Sequence, residues 1–143
     1  MLDHTDKLIL EELSKNSRIT MKELGERVHL TGQAVASRVA KLEDNGVIER
    51  YTIKVNQAKL RCYIHAFITI SLNNLYHQPF LSFIKKQERY VLNNFKVSGE
   101  GCYILECRFP SNEYLDQFLV ALNEYANYKI SIVINKQQNE LGC

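Results

Sequence analysis

Long apolar runs are missing from this 143-residue chain. A bilayer-spanning helix needs about 20 consecutive apolar residues, and the greasiest stretch, residues 62–72, is broken by Tyr63, His65, Thr69 and Ser71. The opening Met1-Leu2-Asp3-His4-Thr5-Asp6 lacks the basic-then-apolar order of a secretory leader. Both absences predict a cytoplasmic protein with no membrane partner. Cys62, Cys102, Cys107 and Cys143 form no C-x-x-C pair, so they are read as reduced, incidental thiols. His4, His29, His65 and His77 have no i, i+4 partner of metal-ligand type, and neither a metal nor another cofactor is expected. No G-x-S-x-G, Walker loop or H-E-x-x-H is present, which argues against an enzyme. A small hydrolase built on the second half would want an arginine after its first strand, where Asn73-Asn74-Leu75-Tyr76 stands instead.

What remains is an ordinary globular composition, 45% hydrophobic and 24% charged, long enough for one domain or two small ones. The net charge of +2 says little about partners, but its distribution says more. Residues 1–30 are net −1, whereas residues 31–61 are net +3 through Arg38, Lys41, Arg50, Lys54, Lys59 and Arg61.

The first 50 residues predict three short helices. Asp3 or Thr5 can cap the first, which carries Leu2, Ile9, Leu10 and Leu13 at helical spacing. Thr20, with Glu23 three residues on, opens the second in a capping-box pattern. Thr31 is placed to cap a third helix running to about Asn45, and Gly46 suits the left-handed position that stops it. Two short helices across a turn of about three residues make a helix-turn-helix. Residues 47–55 alternate with β-branched and aromatic content, and predict a β-ribbon that would make the motif winged. The expected division is a DNA-binding domain at 1–56, a linker at 57–61 and a second domain at 62–143.

That second domain predicts strands at 62–72, 90–98, 102–109 and 129–135, with helices at 78–88 and from Ser111 or Asn112. The order β-α-β-β-α-β is the ferredoxin-like split unit, so the fold class is α+β. Its two helices would cover one face of the sheet. Tyr63 and Phe67 would lie on the other face, a candidate dimer interface, although a place in the core is the alternative.

Leu2-Asp3-x-x-Asp6-x-x-Ile9-Leu10-x-x-Leu13, Asn16-x-Arg18-Ile19-Thr20 with Glu23-Leu24, and Arg38-Val39-x-x-Leu42-Glu43-x-x-Gly46-Val47-Ile48 with Tyr51 resemble the feast/famine (Lrp/AsnC) transcription regulators. The resemblance implies a sequence-preferring DNA-binding regulator working at the nucleoid as homodimers that assemble further, up to an octamer. It also implies an amino-acid effector site, carried onto Gly99, Glu100, Gly101, Cys102 and Tyr103, where a tight hairpin turn is the alternative explanation. The sequence departs from the family pattern there, and again at Tyr125-Ala126-Asn127-Tyr128, where a Pro-Gly-Val turn is usual. An architectural protein that bends DNA with low specificity is the second reading.

At about 100° per residue, Val35, Val39 and Leu42 share the inner face of the third helix. Thr31, Gln33, Ala34, Ser37 and Lys41 lie at its start or on its outer side. Gln33, Ser37 and Arg38 are the candidates for base edges, and Lys41, Arg50 and Lys54 for phosphates. Arg38 sits on the flank, where pairing with Glu43 or Asp44 inside the domain is the alternative.

Overall fold

The computed structural model describes residues 1–137 and divides into two compact units, Met1–Lys54 and Val55–Lys136. Cys143 and the end of the predicted second domain lie outside the described residues.

The first unit is a three-helix core, and each helix starts on a side-chain cap. In α1 (His4–Lys15), Asp3 Oδ1 accepts from the Asp6 N–H at 2.8 Å and Asp6 Oδ2 accepts from the Asp3 N–H at 3.3 Å. This reciprocal box satisfies two donors that a helix otherwise leaves orphaned. Thr20 Oγ1 accepts from the Glu23 N–H at 3.1 Å to open α2 (Met21–Val28), and Thr31 Oγ1 accepts from the Ala34 N–H at 3.1 Å to open α3 (Gly32–Asp44).

The turn between α2 and α3 is three residues long. His29 turns left-handed at φ 61°, and the Leu30 N–H returns to the Gly25 carbonyl at 2.9 Å. Gly25 is what lets the turn close this tightly, since a Cβ there would lie 2.5 Å from the Leu30 carbonyl oxygen. Ile9, Leu13, Ile19, Leu24, Val28, Val35, Val39 and Leu42 form one buried cluster. Each such side chain contributes roughly 1.5–3 kcal/mol of transfer free energy. Beyond Gly46, at φ 72°, the N–H groups of Val47 and Ile48 both bond the Leu42 carbonyl.

The expected β-ribbon is not formed. Residues 49–56 run without any strand pairing among the described residues, and Ile53 is 81% exposed. Alternation creates a face that wants burial, but a strand also needs a partner's backbone, and this unit supplies none.

In the second unit, residues 57–61 fold into successive turns, with Arg61 at φ 60°. The elements β1 (Ile64–Ser71), α4 (Gln78–Lys86), β2 (Val91–Lys96), β3 (Tyr103–Phe109), α5 (Asn112–Leu122) and β4 (Asn127–Ile132) follow in the predicted order. They form an antiparallel sheet ordered β2-β3-β1-β4. Several boundaries need correction: β1 ends at Ser71, α4 at Lys86 and β4 at Ile132, and β2 keeps only Val91–Lys96. Tyr63 and Cys102 fall just outside β1 and β3, and β4 starts at Asn127 rather than Lys129, because Asn127 and Tyr128 pair with Ser71 and Ile70.

One face of the sheet packs Ala66, Ile68, Ile70, Tyr103, Leu105, Cys107 and Phe109 against Phe80, Phe83 and Ile84 of α4 and Phe118 and Leu122 of α5. Burial first, then the charge of Glu106, pushes the Cys107 thiol up to about 12, so it stays protonated. The opposite face carries His65, Phe67 and Thr69 from β1, Ile104, Glu106 and Arg108 from β3, and Asn93 and Phe95 from β2. This follows from the cross-strand register. No helix of the described residues is long and apolar enough to cross a membrane.

Candidate nucleic-acid interface

Val35, Val39 and Leu42 fix the roll of α3 by burial in the three-helix core. With that roll set, Gln33, Ser37, Ala40, Lys41 and Asp44 are exposed on its outer side, and Ala34 is half-buried beside them. The row is short-chained apart from Gln33 and Lys41, so the helix backbone can come close to a groove floor. Thr31 is exposed, but its hydroxyl is already used in capping. A groove of about 790 Å³ runs along this flank, lined by Met1, Leu2, Asp3, Ala34, Ser37 and Lys41 among others.

Arg38 behaves differently from its neighbours. Its Nη1 donates to both Asp3 oxygens, at 2.7 and 2.9 Å, and to Asp6 Oδ1 at 3.1 Å. The partners are therefore on α1, not the Glu43 or Asp44 that sequence proximity suggested. The Arg38 hydrogen bond, followed by the Asp6 backbone N–H, holds the Asp3 carboxyl below its ordinary value. The same two carboxylates raise Arg38.

Arg50 and Lys54 are exposed on the unpaired segment, where they line a second groove of about 560 Å³ with Lys15 and Arg18. Partial burial, then the charge of Glu43, pushes the Tyr51 hydroxyl above its usual range.

The second unit offers two further surfaces. Gly99 and Gly101 both take positive φ, 103° and 81°, as a tight turn demands. Glu100 at the tip accepts from Lys129 Nζ at 2.9 Å, with both side chains more than three-quarters exposed. Cys102 is half-buried, and its N–H bonds the Ile70 carbonyl. Tyr103 turns into the core instead, its hydroxyl 3.1 Å from His77 Nδ1 and its ring 5.2 Å from Phe80. The structure thus brings Gly99, Glu100 and Gly101 together at the surface and takes Tyr103 away from them.

On the helix-free face, Phe67 is half-buried with its ring 5.2 Å from that of His65, and Tyr63 is exposed just before the strand. Phe95, 51% exposed, joins them through its register partner Ile104. The run Asn93-Asn94-Phe95 does not alternate, so no periodicity in the sequence marked Phe95 for this face. No group of three or more His, Cys, Asp or Glu side chains among the described residues could hold a metal ion.

Two family patterns match this arrangement, "Winged helix-turn-helix DNA-binding" over residues 2–49 and "Lrp/AsnC ligand binding domain" over residues 65–140. The HTH-type transcriptional regulator LrpA of Bacillus subtilis is 64% identical over 136 residues, which is 95% of this chain and 100% of that protein. The chain belongs to the Lrp/AsnC family. Among solved Lrp/AsnC structures, LrpC of B. subtilis superposes with a TM-score of 0.89 at 30% identity, covering 96% of this chain and 98% of that one. A transcriptional regulator of Neisseria meningitidis, solved as its L-Met complex, gives 0.86 at 27% identity, covering 99% and 97%. The protein is accordingly an HTH-type transcription regulator of the Lrp type, and not an enzyme. It pairs a DNA-binding helix-turn-helix with a ligand-binding domain. What sequence reasoning missed within the Lrp-type first half is the role of Asp3 and Asp6 as partners of α3.

Proposed function

We propose that α3 lies in the major groove and reads duplex DNA through Gln33 and Ser37, with Ala34 and Thr31 at the groove edge. Lys41, Arg50 and Lys54 contact phosphates. The observation that carries this reading is the roll of α3, whose inner row is buried while Gln33, Ser37 and Lys41 face outward together. Gln suits an adenine edge, and a good bidentate pair gives roughly 1–3 kcal/mol of discrimination. Phosphate contacts fix register and release counterions, so binding weakens steeply as salt rises.

The division of labour follows the chain, with DNA binding in residues 1–56, a linker at 57–61, and assembly and ligand sensing in 62–143. Tyr63, Phe67 and Phe95 form an aromatic patch suited to a second copy. A homodimer through it supplies the twofold that two half-sites require, and such dimers assemble further, to the size of an octamer. An amino acid is the effector proposed for the turn at Gly99, Glu100 and Gly101. The exposed carboxylate of Glu100 and ammonium of Lys129 complement the two charges of a zwitterion. The site of action is the nucleoid.

The test is a binding series with a duplex selected from a randomised pool. Gln33→Ala and Lys41→Ala should each weaken binding on the order of tenfold. Lys41→Ala should also lower the slope of log K against log salt by about one. Wild-type affinity and slope in both variants would refute the assignment.

A further inference from the structure

Arg38 falls on the boundary of α3 between the buried row of Val35 and Val39 and the exposed row of Ser37 and Lys41. A base-reading arginine would hold its guanidinium free. Here Nη1 is bonded three times to carboxylate oxygens of α1. The acceptors are themselves fixed, since Asp3 and Asp6 bond each other's backbone N–H groups in the cap of α1. The guanidinium, through Nη1, therefore joins two helices rather than decorating one. It ties the middle of α3 to the first turn of α1 across 35 and 32 residues of sequence. Two carboxylates around one guanidinium also leave an excess of negative charge, which a DNA phosphate would avoid.

We propose that Arg38 is a positioning residue. With Asp3 and Asp6 it sets the roll and height of α3 on α1, and so the angle at which Gln33, Ser37 and Lys41 meet the duplex, without touching DNA itself. The proposal rests on the reading of α3 given above.

The two roles make opposite predictions. If Arg38 were a DNA contact restrained by its carboxylates, neutralising Asp6 would release it and tighten binding. As a clamp, the same change loosens α3 and weakens binding. A Lys at 38 keeps the charge but replaces the rigid guanidinium with a flexible ammonium, and should fall between wild type and Ala.

The experiment uses the full chain, a duplex selected from a randomised pool with the wild-type protein, and an unselected duplex of equal length, titrated across a salt series. Circular dichroism melts establish which variants are folded at the assay temperature. Arg38→Ala and Asp6→Asn should each lose affinity for the selected duplex on the order of tenfold, as expected within one ion-pair network. The salt slope should stay that of wild type, and preference for the selected duplex should fall across all its positions together. Glu26→Gln, which removes an equal charge elsewhere, should bind as well as wild type or better.

The proposal is overturned if Arg38→Ala lowers the salt slope by about one, or relaxes discrimination at a single base pair alone. Asp6→Asn binding at least as tightly as Glu26→Gln would overturn it too. Should Arg38→Ala be unfolded, Asp6→Asn and Arg38→Lys decide. Wild-type binding by Gln33→Ala and Lys41→Ala would instead overturn the recognition-helix reading, an outcome separate from any behaviour of Arg38.

Discussion

A single methyl group added at position 101 would come within 2.7 Å of Thr69 Cγ2 and 2.9 Å of the Ile70 carbonyl oxygen, on a backbone already at φ 81°. At position 99 the same methyl meets open space, and only the φ of 103° opposes it. Gly101→Ala should therefore destabilise the second unit by about 1–3 kcal/mol more than Gly99→Ala, since it adds a clash to a strained dihedral. Thermal melts of the two variants measure this, and equal midpoints would show that β1 yields to the intruding Cβ. The distinction was not legible in the sequence, where Gly-Glu-Gly reads as one symmetric turn. The carbonyl that crowds Gly101 comes from Ile70, 31 positions earlier. Arg38 has the same character. Its local options, Glu43 and Asp44, were visible, whereas its actual partners on α1 required the fold to bring the two helices together.

Among elements, those whose signal is local were read from residues alone. Thr20 and Thr31 cap α2 and α3 through their own third neighbours, and the 3.6-residue stripe of Val35, Val39 and Leu42 faces inward. Elements that depend on a partner were read less well. Residues 49–56 alternate but find no strand to pair with, and β4 begins earlier than predicted because pairing with β1 overrides the poor strand propensity of Asn127. The sheet also holds a polar link that no periodicity shows. Glu106 of β3 accepts from Asn93 of β2 at 2.8 Å and meets His65 of β1 at 2.7 Å. Burial works to raise the Glu106 carboxyl, but these bonds outweigh it and leave it below the ordinary value of 4.5. The stability it gives is present in full above that value, and is lost as acid carries the pH down through the depressed folded one. Glu106→Gln should therefore show a shallower loss of stability on acidification than wild type, by denaturant melts between about pH 5 and 3. Parallel acid limbs would count against the link.

For the molecule as a whole, the contact proposed between two copies is the aromatic patch on the sheet face without helices. Phe67 lies between Glu106 and Ser131 in the register, and Phe95 lies beside Ile104. Phe67→Asp should place a charge opposite Glu106 and convert the assembly to monomers in sedimentation or light scattering, since an unpaired charge in a desolvated interface is costly. The variant's first unit should keep its helical content. A dimer that survives the substitution would move the interface elsewhere. Finally, Met1 and Leu2 line the same groove as Ala34, Ser37 and Lys41. Residues fused ahead of Met1 would therefore emerge against the outer side of α3, the flank proposed to meet nucleic acid, and on that proposal would compete with it there. A sample cleaved back to Met1 should then bind a duplex more tightly than a tagged one, and equal binding by the two would count against that flank.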